Sequence, residues 1–222
     1  MIKLFVFDMA GTSVDEDNLV YKTIRKAIAE AGHEVSLETV LEFAAGKEKL
    51  QAITDVLTHL HGEADGSHAY DIFQDFRAKL KVAYDVEPVK PIKDVEEVFV
   101  GLRAKGIKVA LNTGYDRATA EKLMGKLGWT MPKTVDYLVT ASDVEAGRPM
   151  PDMIWKAMAL AGITEPESVA KIGDSAIDIE EGHNAGCGLV LGITTGAQTS
   201  EQLAKAKPHQ ILDAAVDILN LI

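Results

Sequence analysis

Asp8 stands directly after an apolar run, Leu4 to Phe7, and groups that could bind an anion follow it closely. A buried strand that ends in a carboxylate places it at the carboxyl edge of a parallel sheet, where ligands bind in open α/β folds. Gly11 allows the backbone to turn tightly there, and Thr12 offers a hydroxyl and an amide. The carboxylate could act as a nucleophile or metal ligand, or it could merely form a turn or cap a helix.

Two later segments place anion-binding groups behind other apolar runs. Thr113 and Gly114 follow the run Lys108 to Asn112, and a hydroxyl beside a glycine suits a phosphoryl group. Arg148 lies in the segment Gly-Arg-Pro-Met-Pro-Asp, where its guanidinium could bind phosphate through two parallel hydrogen bonds. Taken alone, the first segment could be an ordinary turn and the second an ordinary surface loop.

A fourth segment carries two carboxylates four residues apart. Asp174 and Asp178 belong to the sequence Ile-Gly-Asp-Ser-Ala-Ile-Asp, which follows an apolar strand and leads into a helix. Hard oxygen ligands close to a phosphate are the environment that Mg²⁺ prefers. The sequence therefore predicts a divalent metal site at this junction.

The elements that must position these groups alternate along most of the chain. Helical patterns with three-to-four spacing, each ended by a glycine, separate the later apolar runs. This alternation predicts a doubly wound parallel α/β sheet. The predicted strands are Leu4–Phe7, Lys108–Asn112, Tyr137–Thr140, Val169–Ile172, Leu189–Ile193 and Gln210–Leu212.

The stretch 15–86 shows helical periodicity throughout and no convincing strand. We expect four helices there, the second capped by Ser36, forming a small cap domain over the edge of the sheet. Two prolines, Pro88 and Pro91, discourage helix continuation and indicate the hinge back to the core. The predicted catalytic core therefore comprises residues 1–14 and 87–222.

Composition narrows the classes of partner. The 222 residues carry a formal net charge of −11, which disfavours nucleic-acid and anionic-membrane partners. No apolar run is long enough to span a bilayer, and no export leader is visible. The one cysteine, Cys187, cannot form an internal disulfide. A cytoplasmic monomer or homodimer acting on a small molecule is the expectation.

Together, the four motifs resemble those of the haloacid dehalogenase (HAD) superfamily of phosphohydrolases in order and spacing, over essentially the whole chain. This resemblance implies a Rossmann-like core and an Mg²⁺ cofactor. It implies that Asp8 is the nucleophile and a metal ligand, and that Ala10 offers its backbone carbonyl to the metal. Asp174 would bind Mg²⁺ directly, with support from Asp178.

The same resemblance assigns the residues that hold the substrate. Thr113 and Arg148 would bind the phosphoryl oxygens during catalysis. The full set of implied substrate-binding residues is Gly11, Thr12, Lys49, Gly114 and Arg148.

Ala10 departs from the superfamily pattern, because most members carry a second, acid/base aspartate there. The segment Asp-Met-Ala-Gly-Thr resembles instead the phosphonoacetaldehyde hydrolase (phosphonatase) branch, as does Gly-Arg-Pro-x-Pro. In that branch a cap lysine forms an imine with the substrate aldehyde, and the imine accepts the electrons of the breaking P–C bond. The segment Ala-Gly-Lys-Glu-Lys resembles the branch's lysine segment and implies that Lys49 is the imine-forming residue.

A helical projection supports this assignment independently. At about 100° per residue, Lys49 lies about 40° from the centre of the apolar stripe of its helix, and Lys47 lies more than about 100° away. Burial and the helix dipole both lower the pKa of a lysine at this position. Lys49 could equally be an ordinary snorkelling lysine or a phosphate ligand. Ala52 stands where the phosphonatase pattern has a histidine.

The leading hypothesis is an Mg²⁺-dependent hydrolase of a small phosphorylated or phosphonate metabolite, acting through an aspartyl-phosphate on Asp8. The specific alternative is phosphonoacetaldehyde hydrolysis through an imine on Lys49. A third alternative, from another class, is a catalytically weak phosphometabolite-binding protein, because Ala10 removes the general acid.

Overall fold

The computed structural model describes residues 1–222 and contains one six-stranded parallel sheet and one two-stranded ribbon. The strands are β1 (Leu4–Asp8), β2 (Val14–Asp15), β3 (Lys90–Pro91), β4 (Lys108–Thr113), β5 (Tyr137–Thr140), β6 (Val169–Gly173), β7 (Leu189–Ile193) and β8 (Gln210–Leu212). The large sheet has the strand order β5-β4-β1-β6-β7-β8. The predicted doubly wound α/β fold is confirmed.

Strand β1 is buried on both faces, which explains its continuous apolar sequence. Leu4 and Val6 belong to one buried apolar cluster, and Phe5 and Phe7 belong to another. Because successive side chains of a strand point to opposite faces, the two clusters lie on either side of the sheet. The helices that cover the sheet are α5 (Val95–Ala104), α6 (Arg117–Leu127), α7 (Asp152–Ala161), α8 (Ala176–Asn184) and α9 (Ser200–Ala204).

Four helices lie between the two strands of the ribbon, as the periodicity predicts: α1 (Leu19–Glu30), α2 (Leu37–Ala44), α3 (Lys49–His61) and α4 (Gly66–Val86). Ser36 caps α2 by accepting a hydrogen bond from the amide of Thr39 at 3.0 Å. Buried apolar residues of these helices, such as Ile24 and Phe76, belong to the same cluster as Phe5. The division into a core and a separate cap domain stays a prediction.

The ribbon of β2 and β3 was not predicted. Val14 pairs with Pro91 and Asp15 pairs with Lys90, in antiparallel orientation. Two residues per strand are too few to produce a visible alternation of apolar and polar residues. The ribbon ties together the two chain segments that enter and leave the four helices.

The central strands of the sheet bring the predicted motifs to one edge. Strand β1 pairs in parallel with β4 on one side and β6 on the other, so their carboxyl ends are adjacent. Each of these strands extends one residue beyond its predicted end, to Asp8, Thr113 and Gly173. None of the helices combines the length and the apolar character that a membrane crossing requires.

Candidate active site

Asp8 ends β1 and is almost completely buried. Its Oδ1 lies 2.8 Å from Nη1 of Arg148, and its backbone carbonyl accepts a hydrogen bond from Ser13 Oγ at 2.7 Å. Burial raises the pKa of Asp8 to about 6, although the nearby Arg148 acts to lower it. The carboxylate is therefore held in a fixed position with little access to water.

Asp174 and Asp178 approach Asp8 from the neighbouring strand. Asp174 follows β6, whereas Asp178 lies in the first turn of α8 rather than in the loop before it. One carboxylate oxygen from each of the three aspartates falls within 4.8 Å of the other two. Burial and the charges of the neighbouring carboxylates raise the pKa of Asp174 well above its usual range.

This set of carboxylates suits a hard divalent cation. Burial also acts on Asp178, but Arg148 and Lys171 outweigh it and lower the pKa of that carboxyl. Asp174 forms no ion pair with a lysine or arginine and accepts a hydrogen bond at Oδ2 from the amide of Ala197 at 2.6 Å. Asp8 and Asp174 are therefore the carboxylates that a bound divalent cation would stabilise most, because their negative charges are the least compensated.

Arg148 is turned inward, with its side chain only 4% exposed. Nη1 lies 3.0 Å from Asp178 Oδ1, and Nε donates to Glu181 Oε2 at 3.0 Å. Nη2 donates to the carbonyl and side-chain oxygens of Asn112, at 3.0 and 2.9 Å. The guanidinium thus presents its Nη1 edge to Asp8, and its other edges are fixed by the protein.

Sequence reasoning missed the residues that fix Arg148. Lys171 is fully buried in β6, and its Nζ lies 2.7 Å from Asn112 Oδ1, 3.0 Å from Asp178 Oδ1 and 3.2 Å from Glu181 Oε2. Glu181 also accepts two hydrogen bonds from Asn112 Nδ2, at 2.9 and 3.0 Å. A lysine inside an otherwise apolar strand was the visible signal of this network.

The loop after β1 brings its glycine and threonine to the same place. Gly11 has a φ of 77°, and a Cβ there would collide with the carboxylate of Asp174 and the backbone of Gly196. Only glycine allows this approach. Thr12 is buried, and its Oγ1 has no hydrogen-bond partner. The unpartnered hydroxyl suits the predicted contact with an anionic substrate.

Lys49 reaches the site from the helical segment, as the first residue of α3. Its Nζ donates to the carbonyl of Lys47 at 2.7 Å and lies 5.7 Å from the centre of the Tyr21 ring. Burial lowers the pKa of Lys49, although the charges of Asp8 and Glu16 oppose this effect. The inward orientation predicted from the helical projection is the one observed.

Gly46 explains how this segment approaches the sheet so closely. Its φ is 72°, and a Cβ there would collide with the side chains of Ser175 and Ile177, beside Asp174. The amide of Gly46 donates to the hydroxyl of Tyr21 at 3.2 Å. The turn before α3 therefore packs directly on the predicted metal-binding loop.

One small cavity collects most of the predicted residues. Seven of them line it, together with three that were not predicted, Tyr21, Gly46 and Tyr115. The seven are Asp8, Ala10, Lys49, Thr113, Gly114, Arg148 and Asp174. Gly11 and Thr12 lie in the adjoining turn, and Asp178 lies behind Arg148.

The cavity has no second acid/base carboxylate beside Asp8, no histidine and no cysteine nucleophile. Ala10 lines the wall beside Asp8 and supplies no carboxylate. Ala52, where the phosphonatase pattern has a histidine, is fully buried in α3 and does not line the cavity. Cys187 is also buried, and burial raises the pKa of its thiol to about 12, which excludes it as a nucleophile near neutral pH.

The fold and the arrangement of these motifs agree with a match to a family model. Residues 2–186 match the haloacid dehalogenase-like hydrolases, and the chain belongs to this family. The expected phosphohydrolase class of enzyme is confirmed with it.

Curated relatives point to the phosphonatase-like branch. A phosphonoacetaldehyde hydrolase from Bacillus cereus is 31% identical over 207 residues, which cover 86% of this chain and 76% of the relative. A second one, from another strain of Bacillus cereus, is 30% identical over 218 residues, covering 91% and 81%. The resemblance seen in the sequence motifs is thereby confirmed.

Solved structures share the fold over the whole chain. A phosphonoacetaldehyde hydrolase-like protein from Oleispira antarctica superposes with a TM-score of 0.84 at 23% identity, covering 99% of this chain and 91% of that one. A phosphoglycolate phosphatase, predicted as such, from Haemophilus somnus gives 0.83 at 20% identity, covering 99% and 97%. At these identities the likeness concerns the fold.

Proposed function

We propose that this protein is an Mg²⁺-dependent hydrolase that transfers the phosphoryl group of a small phosphonate or phosphate ester to Asp8 and then to water. The observation that carries the proposal is the shared cavity of Asp8, Asp174, Arg148 and Lys49. It combines a carboxylate nucleophile, a metal-binding carboxylate, a fixed guanidinium and an amine. In this proposal the helices of residues 15–86 act as a cap, and the protein works in the cytoplasm.

The residues of the chain divide the chemistry between them. Arg148 orients the Asp8 carboxylate for attack on phosphorus, which forms an aspartyl-phosphate. The hydroxyls of Thr12 and Thr113 and the charge of Arg148 stabilise the phosphoryl oxygens as negative charge develops on them. Mg²⁺ held by Asp8 and Asp174, with the Ala10 carbonyl and Asp178 in support, would offset the repulsion between the carboxylate and the substrate.

The nature of the leaving group follows from Ala10 and Lys49. Ala10 cannot protonate an ester oxygen, which favours a substrate whose leaving group needs no acid at that position. An amine in the same cavity can form an imine with an aldehyde, and the imine accepts the electrons of a breaking P–C bond. We therefore place an aldehyde-bearing phosphonate, with phosphonoacetaldehyde as the test compound, first among the candidate substrates.

A phosphate ester is the second candidate, and Ala52 is the observation that favours it. The phosphonatase pattern has a histidine at this position, and here α3 buries an alanine. In this case Lys49 binds the phosphoryl group as a cation and forms no covalent bond.

Borohydride trapping distinguishes the two candidates. Borohydride added with phosphonoacetaldehyde reduces an imine to a stable adduct, which mass spectrometry locates on Lys49. Lys49→Arg should then abolish P–C cleavage, because a guanidinium is not a usable amine nucleophile at neutral pH. Lys47→Arg, at the preceding lysine, is the matched control and should retain activity. Phosphate release without an adduct, largely kept in Lys49→Arg and lost in Lys49→Ala, would contradict the imine and support the ester.

A further inference from the structure

Glu16 is a buried carboxylate at the connection between the sheet and the helical segment. It follows β2 and precedes α1, and only 5% of it is exposed. No lysine or arginine forms an ion pair with it. Its Oε2 accepts a hydrogen bond from the hydroxyl of Tyr84, and its Oε1 lies 3.5 Å from the amide of Val20.

Two tyrosines connect Glu16 with the Asp8 cavity. Tyr84 lies in the last turns of α4, and its hydroxyl oxygen is 2.9 Å from that of Tyr115. Tyr115 follows Thr113 and Gly114 directly and lines the same cavity as Asp8 and Lys49. The three side chains form a continuous hydrogen-bonded chain from a buried acid to the cavity wall.

The surroundings of Glu16 allow it to take up or release a proton near neutral pH. Burial raises its pKa to about 7, against the lowering effect of its hydrogen bond from Tyr84. The titratable groups around it are Tyr21 from α1, Lys49 from α3, Tyr84 from α4 and Tyr115 from the loop after β4. Among these, Lys49 is the only cation, and each charge influences the pKa of the other.

The cavity itself lacks a free acid for proton transfer. Asp8 is the nucleophile of the proposed function, and Asp174 is assigned to the metal. Ala10 and Ala52 provide no acidic or basic group. Imine formation nevertheless requires a group that takes a proton from the lysine ammonium and later returns it to the oxygen that leaves as water.

We propose that Glu16 holds the proton of this active site and exchanges it with the substrate and Lys49 through Tyr84 and Tyr115. The inference rests on the proposed function and deepens it. Of the three hydrogen-bonded side chains, Tyr115 is the one that lines the cavity, so Glu16 acts through it. A carboxylate outside the cavity thus supplies the proton transfer for imine formation that no acid within the cavity provides.

The proton balance of imine formation closes without a further reactant. The Lys49 ammonium loses a proton, and the charge passes through Tyr115 and Tyr84 to Glu16. Each tyrosine hydroxyl gives up one proton and receives another, so both tyrosines remain neutral. The free amine adds to the aldehyde carbon, and a proton shift from nitrogen to oxygen gives the carbinolamine. The proton on Glu16 then returns to the carbinolamine oxygen, which leaves as water. Glu16 ends as the carboxylate that began the cycle.

The test compares Glu16→Gln and Tyr84→Phe with wild type. Glutamine keeps the shape and the acceptor for Tyr84 but cannot exchange a proton, and phenylalanine interrupts the relay while leaving Glu16 in place. Glu63→Gln, at an exposed glutamate after α3, is the matched control. The readouts are kcat for phosphate release from phosphonoacetaldehyde as a function of pH, and the infrared signal of a protonated carboxyl.

We expect kcat to fall about 10²-fold in both variants, the typical contribution of a general acid-base group. The change in kcat through pH about 7 should disappear with it, and Glu63→Gln should match wild type. With Mg²⁺ present, so that Asp8 and Asp174 are charged, a protonated carboxyl signal of wild type should vanish as the pH rises through about 7, and Glu16→Gln should lack this signal.

Wild-type kcat and an unchanged pH profile in folded Glu16→Gln would overturn the proposal. If Glu16→Gln fails to fold, wild-type kcat and an unchanged pH profile in Tyr84→Phe would overturn the proton relay from Tyr115 through Tyr84 to Glu16. With Mg²⁺ present, a carboxyl signal that still titrates through pH about 7 in Glu16→Gln would assign the titration to another residue and also contradict the proposal. Failure of the proposed function looks different, because wild type would then release no phosphate from any phosphonate or ester.

Discussion

At Ala10 a methyl group lines the cavity where most members of the superfamily carry a carboxylate. Restoring the acid tests which leaving group the site handles. Ala10→Asp should raise the rate on generic phosphate esters by about 10²-fold or more, because the new acid can protonate the departing oxygen. Phosphate release from esters and from phosphonoacetaldehyde, measured side by side, checks this.

The gain should be confined to esters if the site handles a carbon leaving group. An equal gain on phosphonoacetaldehyde would contradict the interpretation of Ala10. Ala118→Asp, at an exposed alanine in the first turn of α6, is the control for an added carboxylate outside the cavity, and it should not reproduce the ester gain.

Lys171 is the second residue with a clear energetic prediction. It is fully buried among Asn112, Asp178 and Glu181. Lys171→Met leaves two buried carboxylates without this cation and should lower the free energy of unfolding by about 3–5 kcal/mol. Chemical denaturation measures the loss.

The exposed pair of Lys3 and Glu165 provides the control. Their charged atoms are 3.5 Å apart, and their side chains are 59% and 61% exposed. Lys3→Met should cost no more than about 1 kcal/mol. Similar losses in the two variants would show that burial of the Lys171 network contributes little.

At the scale of elements, the turn before α3 determines how closely Lys49 approaches the sheet. Gly46→Ala places a methyl group against Ser175 and Ile177 and also strains a residue whose φ is 72°. We expect the turn to move away from the metal-binding loop, so that kcat for phosphate release falls by at least about 10-fold.

Gly62 offers a matched control at the end of the same helix. Its φ is 82°, and a Cβ there would meet no atom within 4 Å. Gly62→Ala therefore introduces the backbone strain without the collision, at a cost of about 1 kcal/mol in stability. Equal activities of the two alanine variants would contradict a role of the turn in positioning Lys49.

A strand, helix or site residue could be predicted where folding imposes a recognisable pattern on the nearby sequence. The six strands of the main sheet were predictable because burial makes them short continuous apolar runs, and the four helices after β2 were predictable because burial of one face imposes a period of 3.6 residues. The ribbon of Val14 and Pro91 was not, because two paired residues have no period. Local motifs predicted Asp8, Asp174 and Lys49 as site residues, and the three line one cavity. The buried contacts of Glu16 and Lys171 were not predicted, because their partners lie far away in the sequence and only folding brings them together.

At the scale of the whole molecule, the buried acids couple stability to pH. The folded-state pKa of Asp8 is about 6 against an ordinary 3.8, and that of Glu16 is about 7 against 4.5. Between the ordinary pKa and the folded-state pKa of each group, the metal-free folded state therefore binds more protons than the unfolded state. Its stability falls as the pH rises through this range. We expect a loss of about 2–3 kcal/mol from Asp8 alone.

A bound divalent cation should reverse this loss, because it stabilises the charged forms of Asp8 and Asp174. Thermal unfolding should show a larger stabilisation by Mg²⁺ at about pH 7.5 than at about pH 5. Asp174→Asn should remove most of the difference. The same stabilisation at both pH values, or none, would contradict the metal site.

The most direct test of the central claim is whether turnover depends on the Asp8 carboxylate. Asp8→Asn should leave the fold intact and abolish phosphate release, because an amide cannot attack phosphorus. Asp15→Asn, at an exposed aspartate in β2, is the matched control and should match wild type. Single-turnover assays with phosphonoacetaldehyde and a set of phosphate esters, with Mg²⁺ or with a chelator, measure this. We expect Mg²⁺-dependent release by wild type and Asp15→Asn only, and near wild-type release by Asp8→Asn would contradict the role of Asp8 as the nucleophile.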